Sequence, residues 1–69
     1  MKISARNILQ GKVISCTKGA TTAHVKIEVA GGEVITSSIT NEAADDLKLS
    51  AGKQVMAIIK SSDVLIGAA

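Results

Sequence analysis

Residues 22–39 read TAHVKIEVAGGEVITSSI, and this stretch decides the fold of the chain. In its first eight residues, apolar side chains alternate with polar ones, and a period of two predicts a strand with one buried and one wet face. The glycine pair in residues 30–33, AGGE, permits the positive φ angles of a tight hairpin turn. Val34 to Ile39 therefore predicts a second, antiparallel strand. His24 falls on the polar face, so we expect it on the surface.

A long strand is predicted before this hairpin, over residues 3–16. Its apolar residues are mostly branched and suit a pleated surface. Gly11 interrupts it, and a glycine within a strand often marks a bulge or the close approach of another backbone. Cys16 is interpreted as a small buried hydrophobic residue.

Three elements are predicted after the hairpin. Residues 40–47, TNEAADDL, indicate a short helix whose first amides Thr40 or Asn41 can cap. Residues 54–60 carry apolar side chains on both faces, which predicts a strand that is covered twice. Residues 64–66, VLI, predict a short last strand after a turn.

The predicted order is three strands, a short helix and two strands. This is the order of an OB-type Greek-key barrel, and a closed barrel leaves no exposed strand edge. We therefore predict an all-β fold with one short helix, a five-stranded OB-type Greek-key barrel, in a single domain over residues 1–69.

Size and composition point to self-association. A chain of 69 residues buries only about 60% of its unfolded surface and is marginally stable alone. One cysteine excludes an intramolecular disulfide. Apolar residues make up 46% of the chain, yet none is Phe, Trp or Tyr. We expect other subunits to cover part of this aliphatic surface.

Several function classes are disfavoured by the sequence. No signal peptide or membrane span of about 20 apolar residues is apparent, so a cytoplasmic protein without a membrane partner is expected. A net charge of +2 is too small to indicate nucleic acid by itself. One His and one Cys, without the spacing of a triad, P-loop or metal motif, predict a protein that is not an enzyme and has no cofactor.

The candidate site combines cations and hydroxyls from the two ends of the chain. Ser4 and Arg6 stand near the start of the first strand, and Lys60 and Ser61 stand at the end of the fourth. No carboxylate lies within four residues of Arg6. Such a site offers positive charge and hydrogen-bond donors, which suit a small dianion.

Several motifs together resemble a known family. They are SARN-x-L, G-K-V, A-G-G-E-V-I-T, I-T-N-E-A and V-x-A-I-I-K-S-S-D-V-L-I, in that order over nearly the whole chain. The chain is identified by them as similar to the molbindins, small Mop-type molybdate-binding proteins. The resemblance implies a homo-hexamer built as a trimer of dimers. It also implies molybdate or tungstate bound between subunits, for intracellular molybdenum storage and homeostasis.

The resemblance also assigns the site residues. Six positions match family positions that hold the oxyanion: Ser4, Arg6, Lys60 and Ser61 from one subunit, and Thr40 and Ala43 from a neighbour. Relatives carry a hydroxyl residue where this chain has Ala43, so only the backbone N–H could donate there. Further family sites lie near a threefold axis, and the turn at residues 18–20 is the expected place for them.

Three alternatives remain open at this point. Thr40 could serve only as a helix cap, and Asp45 and Asp46 are interpreted as a solvated helix face that points away from any anion. An OB-fold module for single-stranded nucleic acid would need aromatic stacking platforms, which this sequence lacks. A purely structural oligomerisation domain would leave Arg6 and Lys60 without a purpose.

Overall fold

The structure is a computed structural model that describes residues 1–69. It contains four strands and one helix, which are β1 (Asn7–Lys18), β2 (Thr22–Val29), β3 (Val34–Thr40), α1 (Asn41–Asp46) and β4 (Gln54–Ile59). A 3-10 turn over Ser61–Asp63 follows β4. The strands form one antiparallel sheet in the order β3-β2-β1-β4, and this sheet curls into a half-barrel.

The concave face of the sheet carries the core. Side chains from three of the four strands form its buried centre, which consists of Val13, Val25, Ile27 and Ala57. The alternation predicted for β2 is confirmed, because Ala23, Val25 and Ile27 are buried, Val29 is partly buried, and the polar residues, including His24, are exposed. Cys16 is only partly buried and packs against this core.

The predicted close approach at Gly11 is confirmed. A Cβ atom at this position would lie 2.7 Å from the carbonyl oxygen of Glu28 and 2.7 Å from Cγ2 of Ile27. Real Cβ atoms are not found so close to backbone, so only glycine fits. The register of β1 against β2 shifts between Val13 and Ser15, and such a bulge sharpens the local bend of a strand. β1 can therefore curl across the whole half-barrel and pair with β2 and β4.

The glycine-rich hairpin is also as predicted. Gly32 has a φ of 86°, a conformation that costs little only without a side chain. Its N–H donates to the carbonyl of Val29 over 2.9 Å, and the Val29 N–H donates to the carbonyl of Glu33 over 2.9 Å. These two bonds close the turn and fix the register of β2 against β3.

Two of the predicted strands differ from the structure. β1 begins at Asn7 instead of residue 3, because β4 ends at Ile59 and supplies no partner for the residues before Asn7. It continues to Lys18, because β2 extends the pairing at the other end. The fifth strand is wrong for the single chain, since residues 64–66 pair with no other segment. The sheet consequently has four strands, and β3 and β4 are its unpaired edges. The prediction of a closed five-stranded barrel is replaced by an open half-barrel.

An apolar groove follows from this opening. It lies between β3 and β4, has a volume of about 310 Å³, and is lined mainly by Ile27, Ile35, Met56, Ala57, Ile58 and Ile59. Leu65 and Ile66 lie beyond the 3-10 turn and are 91% and 90% exposed. The predicted double coverage of β4 is not found within one chain, because Met56 and Ile58 on its outer face are exposed.

The shorter elements agree with prediction within a residue. α1 begins one residue after the predicted start because Thr40 is its cap and also the last residue of β3. Ala44 is the buried residue of this helix. With six residues, α1 is too short to cross a bilayer.

Candidate functional site

Arg6 and Lys60 emerge from adjacent strand ends. In the register of β1 against β4, Asn7 stands opposite Ile59, and the two cations are the next residues outward on each strand. The side-chain Nδ2 of Asn7 donates to the carbonyl oxygen of Ile59 over 3.2 Å. Residues distant in the sequence are thus brought to the same corner of the sheet, as predicted.

Both cations at this corner lack a counter-charge within the chain. Arg6 and Lys60 are exposed, and the ion pair found in the structure joins Lys18 to Asp45 instead. Two like charges at neighbouring positions create a positive potential that favours an anion.

Hydroxyls flank the cations, and one carboxylate lies near. Ser4 stands two residues before Arg6, and Ser61 follows Lys60 at the start of the 3-10 turn; both are exposed. Asp63 is in the same turn and forms no ion pair with either cation. Four of the six predicted site residues therefore gather at this end of the sheet. Asp63 was not among the predicted neighbours of the site, because it lies close in sequence to Lys60 and far from Arg6.

Thr40 and Ala43 form a helix cap in this chain. Thr40 has extended backbone angles, and its Oγ1 accepts a hydrogen bond of 3.0 Å from the Ala43 N–H. The capping role considered for Thr40 is confirmed. The Ala43 amide is consequently occupied, whereas the hydroxyl hydrogen of Thr40 remains available for donation.

The start of α1 is anchored to the turn between β1 and β2. Asn41 donates from its backbone N–H to the carbonyl of Thr21 and from Nδ2 to the carbonyl of Gly19, each over 2.9 Å. Lys18 forms a hydrogen bond and ion pair with Asp45, and these interactions raise the pKa of Lys18 above its ordinary value. The helix face is therefore solvated as predicted, but the charge of Asp45 is compensated.

The two halves of the candidate site lie at opposite ends of β1. Arg6 precedes the first residue of this strand, whereas Thr40 stands opposite Thr22, beside the last pair of β1 and β2. The eleven steps from Asn7 to Lys18 correspond to a contour length of roughly 35 Å; the curl of β1 makes the direct distance between its ends shorter, but the two ends still lie on opposite sides of the sheet. A tetrahedral oxyanion is far smaller, so one chain cannot hold it with both halves.

Other parts of the surface are less suited to a dianion. The largest concavity, about 340 Å³, lies beside Gly11 and is lined by Lys12 and Glu28 together with Gln10 and Gln54. It offers hydrogen-bond donors and acceptors and side chains of both charges, and it contains none of the predicted site residues. No group of three or more His, Cys, Asp or Glu side chains is placed to hold a metal ion.

Comparison with known proteins identifies the family. Residues 3–66 match the model of the TOBE domain. The chain belongs to the TOBE domain family. This TOBE domain is 48% identical over 66 residues to molybdenum-pterin-binding protein 3 of Clostridium pasteurianum, and the match covers 96% of this chain and 97% of that protein.

Solved structures agree with the family assignment. The molybdate-binding protein from Sporomusa ovata superposes on this TOBE domain with a TM-score of 0.92 at 31% identity, over 99% of this chain and 100% of that one. The cytoplasmic molybdate-binding protein ModG gives a TM-score of 0.86 at 44% identity, over 88% of this chain and 43% of that one. The resemblance to the Mop-type proteins is confirmed, and the half-barrel matches the OB-like fold of these proteins.

Proposed function

We propose that this chain, as a single Mop-type domain over residues 1–69, binds molybdate and tungstate between the subunits of a homo-oligomer. The proposal rests on the position of two cations: Arg6 and Lys60 lie at one corner of the sheet, and neither forms an ion pair within the chain. Its similarity to proteins described as molybdate-binding supports the choice of ligand. The role is intracellular storage and homeostasis of molybdenum.

The chemistry of molybdate matches these groups. At neutral pH molybdate is a tetrahedral dianion that accepts hydrogen bonds and donates none. Arg6 offers a planar fork of donors and Lys60 a compact ammonium, and Ser4 and Ser61 add hydroxyls. Charge-assisted hydrogen bonds of this kind are roughly twice as strong as neutral ones. Phosphate keeps a proton part of the time near neutrality, so it benefits from an acceptor that these four residues do not provide.

A neighbouring subunit completes the site in this proposal. Thr40 and Ala43 of one chain meet the Arg6 corner of another, since both ends cannot reach the same ion within one chain. Because the Thr40 oxygen accepts from the Ala43 N–H, the amide holds the hydroxyl with its hydrogen free to donate to the ligand. Ala43 thus contributes through Thr40, and closure at the contact lowers the local dielectric and strengthens each bond.

Exposed apolar surface supports self-association. One chain buries only six of its 69 residues, a thin core for independent stability. The apolar groove between β3 and β4 and the outer side chains of β4 remain open. The exposed apolar residues 64–66 offer aliphatic surface that suits this groove in a second copy. We propose a homo-hexamer, a trimer of dimers, as the resulting assembly.

The remaining properties follow from this role. The proposed protein is a binding protein and not an enzyme, needs no cofactor besides its oxyanion ligand, and has neither nucleic acid nor a membrane as partner. A cytoplasmic location is proposed by similarity to ModG, which is described as cytoplasmic.

Isothermal titration calorimetry with molybdate tests the proposal. We expect saturable binding that tungstate abolishes by competition and that excess phosphate leaves nearly unchanged. An absence of molybdate binding would overturn the function. Displacement by phosphate as effective as that by tungstate would show that an acceptor lines the site, and would overturn the donor-only interpretation.

A further inference from the structure

We infer that Asn7 is a positioning residue of the oxyanion site: its side-chain amide links β1 to β4 and holds Arg6 and Lys60 together as one anion-binding pair. The inference rests on the proposed function, and it assigns to Asn7 no contact with the ligand.

The Asn7 hydrogen bond lies between the two cations, at the ends of the strands that carry them. Asn7 is the first residue of β1, and Ile59 is the last residue of β4. The Ile59 carbonyl that accepts from Asn7 Nδ2 belongs to the peptide group that joins Ile59 to Lys60. Arg6 is attached directly to Asn7. The bond therefore fixes the backbone of both cations at the point where they leave the sheet.

This corner of the sheet has no other side-chain hydrogen bond. The remaining ones join residues around α1 and the two loops beside it. β4 is an edge strand, and strand ends are where pairing opens most easily. Arg6 and Lys60 repel each other and have no carboxylate partner. Without the Asn7 link, nothing but the end of the backbone ladder opposes their separation.

The chemistry of an amide suits this task. The amide of Asn7 donates to the Ile59 carbonyl and carries no charge. A carboxylate of the same shape could not donate to that carbonyl, and it would place a negative charge between two cations that must attract an anion.

Molybdate titration of Asn7 variants tests the inference. Loss of one neutral hydrogen bond should weaken molybdate binding by Asn7→Ala about three- to tenfold, and Asn7→Asp should weaken it more. Gln10→Ala is the matched control, because Gln10 is an exposed β1 residue opposite Met56 and forms no side-chain hydrogen bond. Asn7→Asp preserves the size of the side chain, so parental affinity in this variant would overturn the inference even if Asn7→Ala failed to fold.

A double-mutant cycle with Lys60 separates positioning from general weakening. If Asn7 acts by placing Lys60, then Asn7→Ala should change affinity less than about twofold in a Lys60→Ala background. If Asn7→Ala weakens binding by the same factor with and without Lys60, then Asn7 acts independently of Lys60 and the inference is overturned. If Arg6→Ala and Lys60→Ala alone leave binding intact, the proposed site itself is wrong. If they weaken binding but neither Asn7 variant does, only the role of Asn7 is wrong.

Discussion

Charge compensation separates the lysines of this small protein into two kinds. Lys18 is neutralised by Asp45, whose hydrogen bond and charge raise the lysine pKa. A raised lysine pKa means that the pair stabilises the fold while Lys18 is protonated, and that this contribution is lost as the pH rises above the ordinary lysine value of 10.5 and through the raised pKa. The contribution to stability is small because both groups are exposed. Lys60 lacks such a partner, so its charge remains available to a ligand.

Removal of either cation, Arg6 or Lys60, should weaken molybdate binding without dissociating the proposed oligomer. Arg6→Ala and Lys60→Ala each remove charged hydrogen bonds worth about 1.5 to 3 kcal/mol, which corresponds to a roughly tenfold to hundredfold higher molybdate Kd. Lys26→Ala is the control, because it removes an equal charge from the exposed face of β2. Calorimetry on the three variants measures the change. Equal losses for Lys26→Ala would mean that only overall charge matters, and the site would be misplaced.

At the residue scale, the sequence states the type of each side chain but not its contacts. Arg6, Lys60, Ser4 and Ser61 could be chosen as candidate anion ligands because their side chains carry positive charge or hydroxyl groups. The link from Asn7 to Ile59 could not be predicted, because it depends on the register of two strands that are far apart in the chain. The bond between Thr40 and the Ala43 amide could be predicted as a helix cap. It also occupies the Ala43 amide.

Among the elements, β1 has the greatest influence on the shape of the sheet. It pairs on both sides, and its curvature depends on Gly11 and on the nearby bulge. A long strand with an interior glycine was predicted, and the close approach of the Glu28 backbone gives the reason. Strand ends were predicted less well, since residues 3–6 were predicted as part of the first strand but find no partner in the sheet.

Gly11→Ala should destabilise the fold. The added methyl group meets a backbone carbonyl that cannot rotate away, and overpacking of this kind typically costs about 1 to 3 kcal/mol. Gly67→Ala is the control, because a Cβ atom there meets nothing within 4 Å. Urea titrations at one protein concentration give the free energies of unfolding. Equal midpoints for the two variants would show that β1 can relax away from Glu28.

The last predicted strand shows a limit of local sequence patterns. The run VLI at residues 64–66 favours extended backbone wherever it pairs. Whether it becomes a strand depends on a partner edge, and the pattern contains no information about which chain provides that edge. Its prediction as a fifth strand was therefore wrong for the isolated chain, although the order of the other elements was correct.

At the scale of the whole molecule, the small core and the open groove have the same cause, which is that a single chain buries too little apolar surface. A half-barrel of aliphatic side chains without aromatic residues buries little surface per residue. The composition predicted this deficit, whereas the location of the uncovered surface required the sheet order. The exposed patches lie on β4, on its groove with β3, and on the segment after the 3-10 turn.

Sedimentation at micromolar concentration should show a species several times 7.0 kDa. Leu65→Ser and Ile66→Ser together remove apolar surface that is 91% and 90% exposed in the single chain. If that surface is buried by another copy, the loss is about 1.5 kcal/mol or more per residue, and the Kd of assembly should rise about a hundredfold or more for the double variant. Ala68→Ser serves as the control. A parent protein that sediments as a monomer would contradict the proposed assembly.

The placement of Arg6 and Thr40 at opposite ends of β1 has a consequence for counting. In the proposed assembly, each chain has one head, the Arg6 corner, and one tail, the Thr40 cap, and each oxyanion would occupy a junction of head and tail. An open row of chains always ends with an unused head and an unused tail, so it binds fewer ions than it has chains. A dimer with twofold symmetry or a closed ring uses every end and binds one ion per chain. The ratio of bound oxyanion to chain therefore reports the closure of the assembly, independently of its mass.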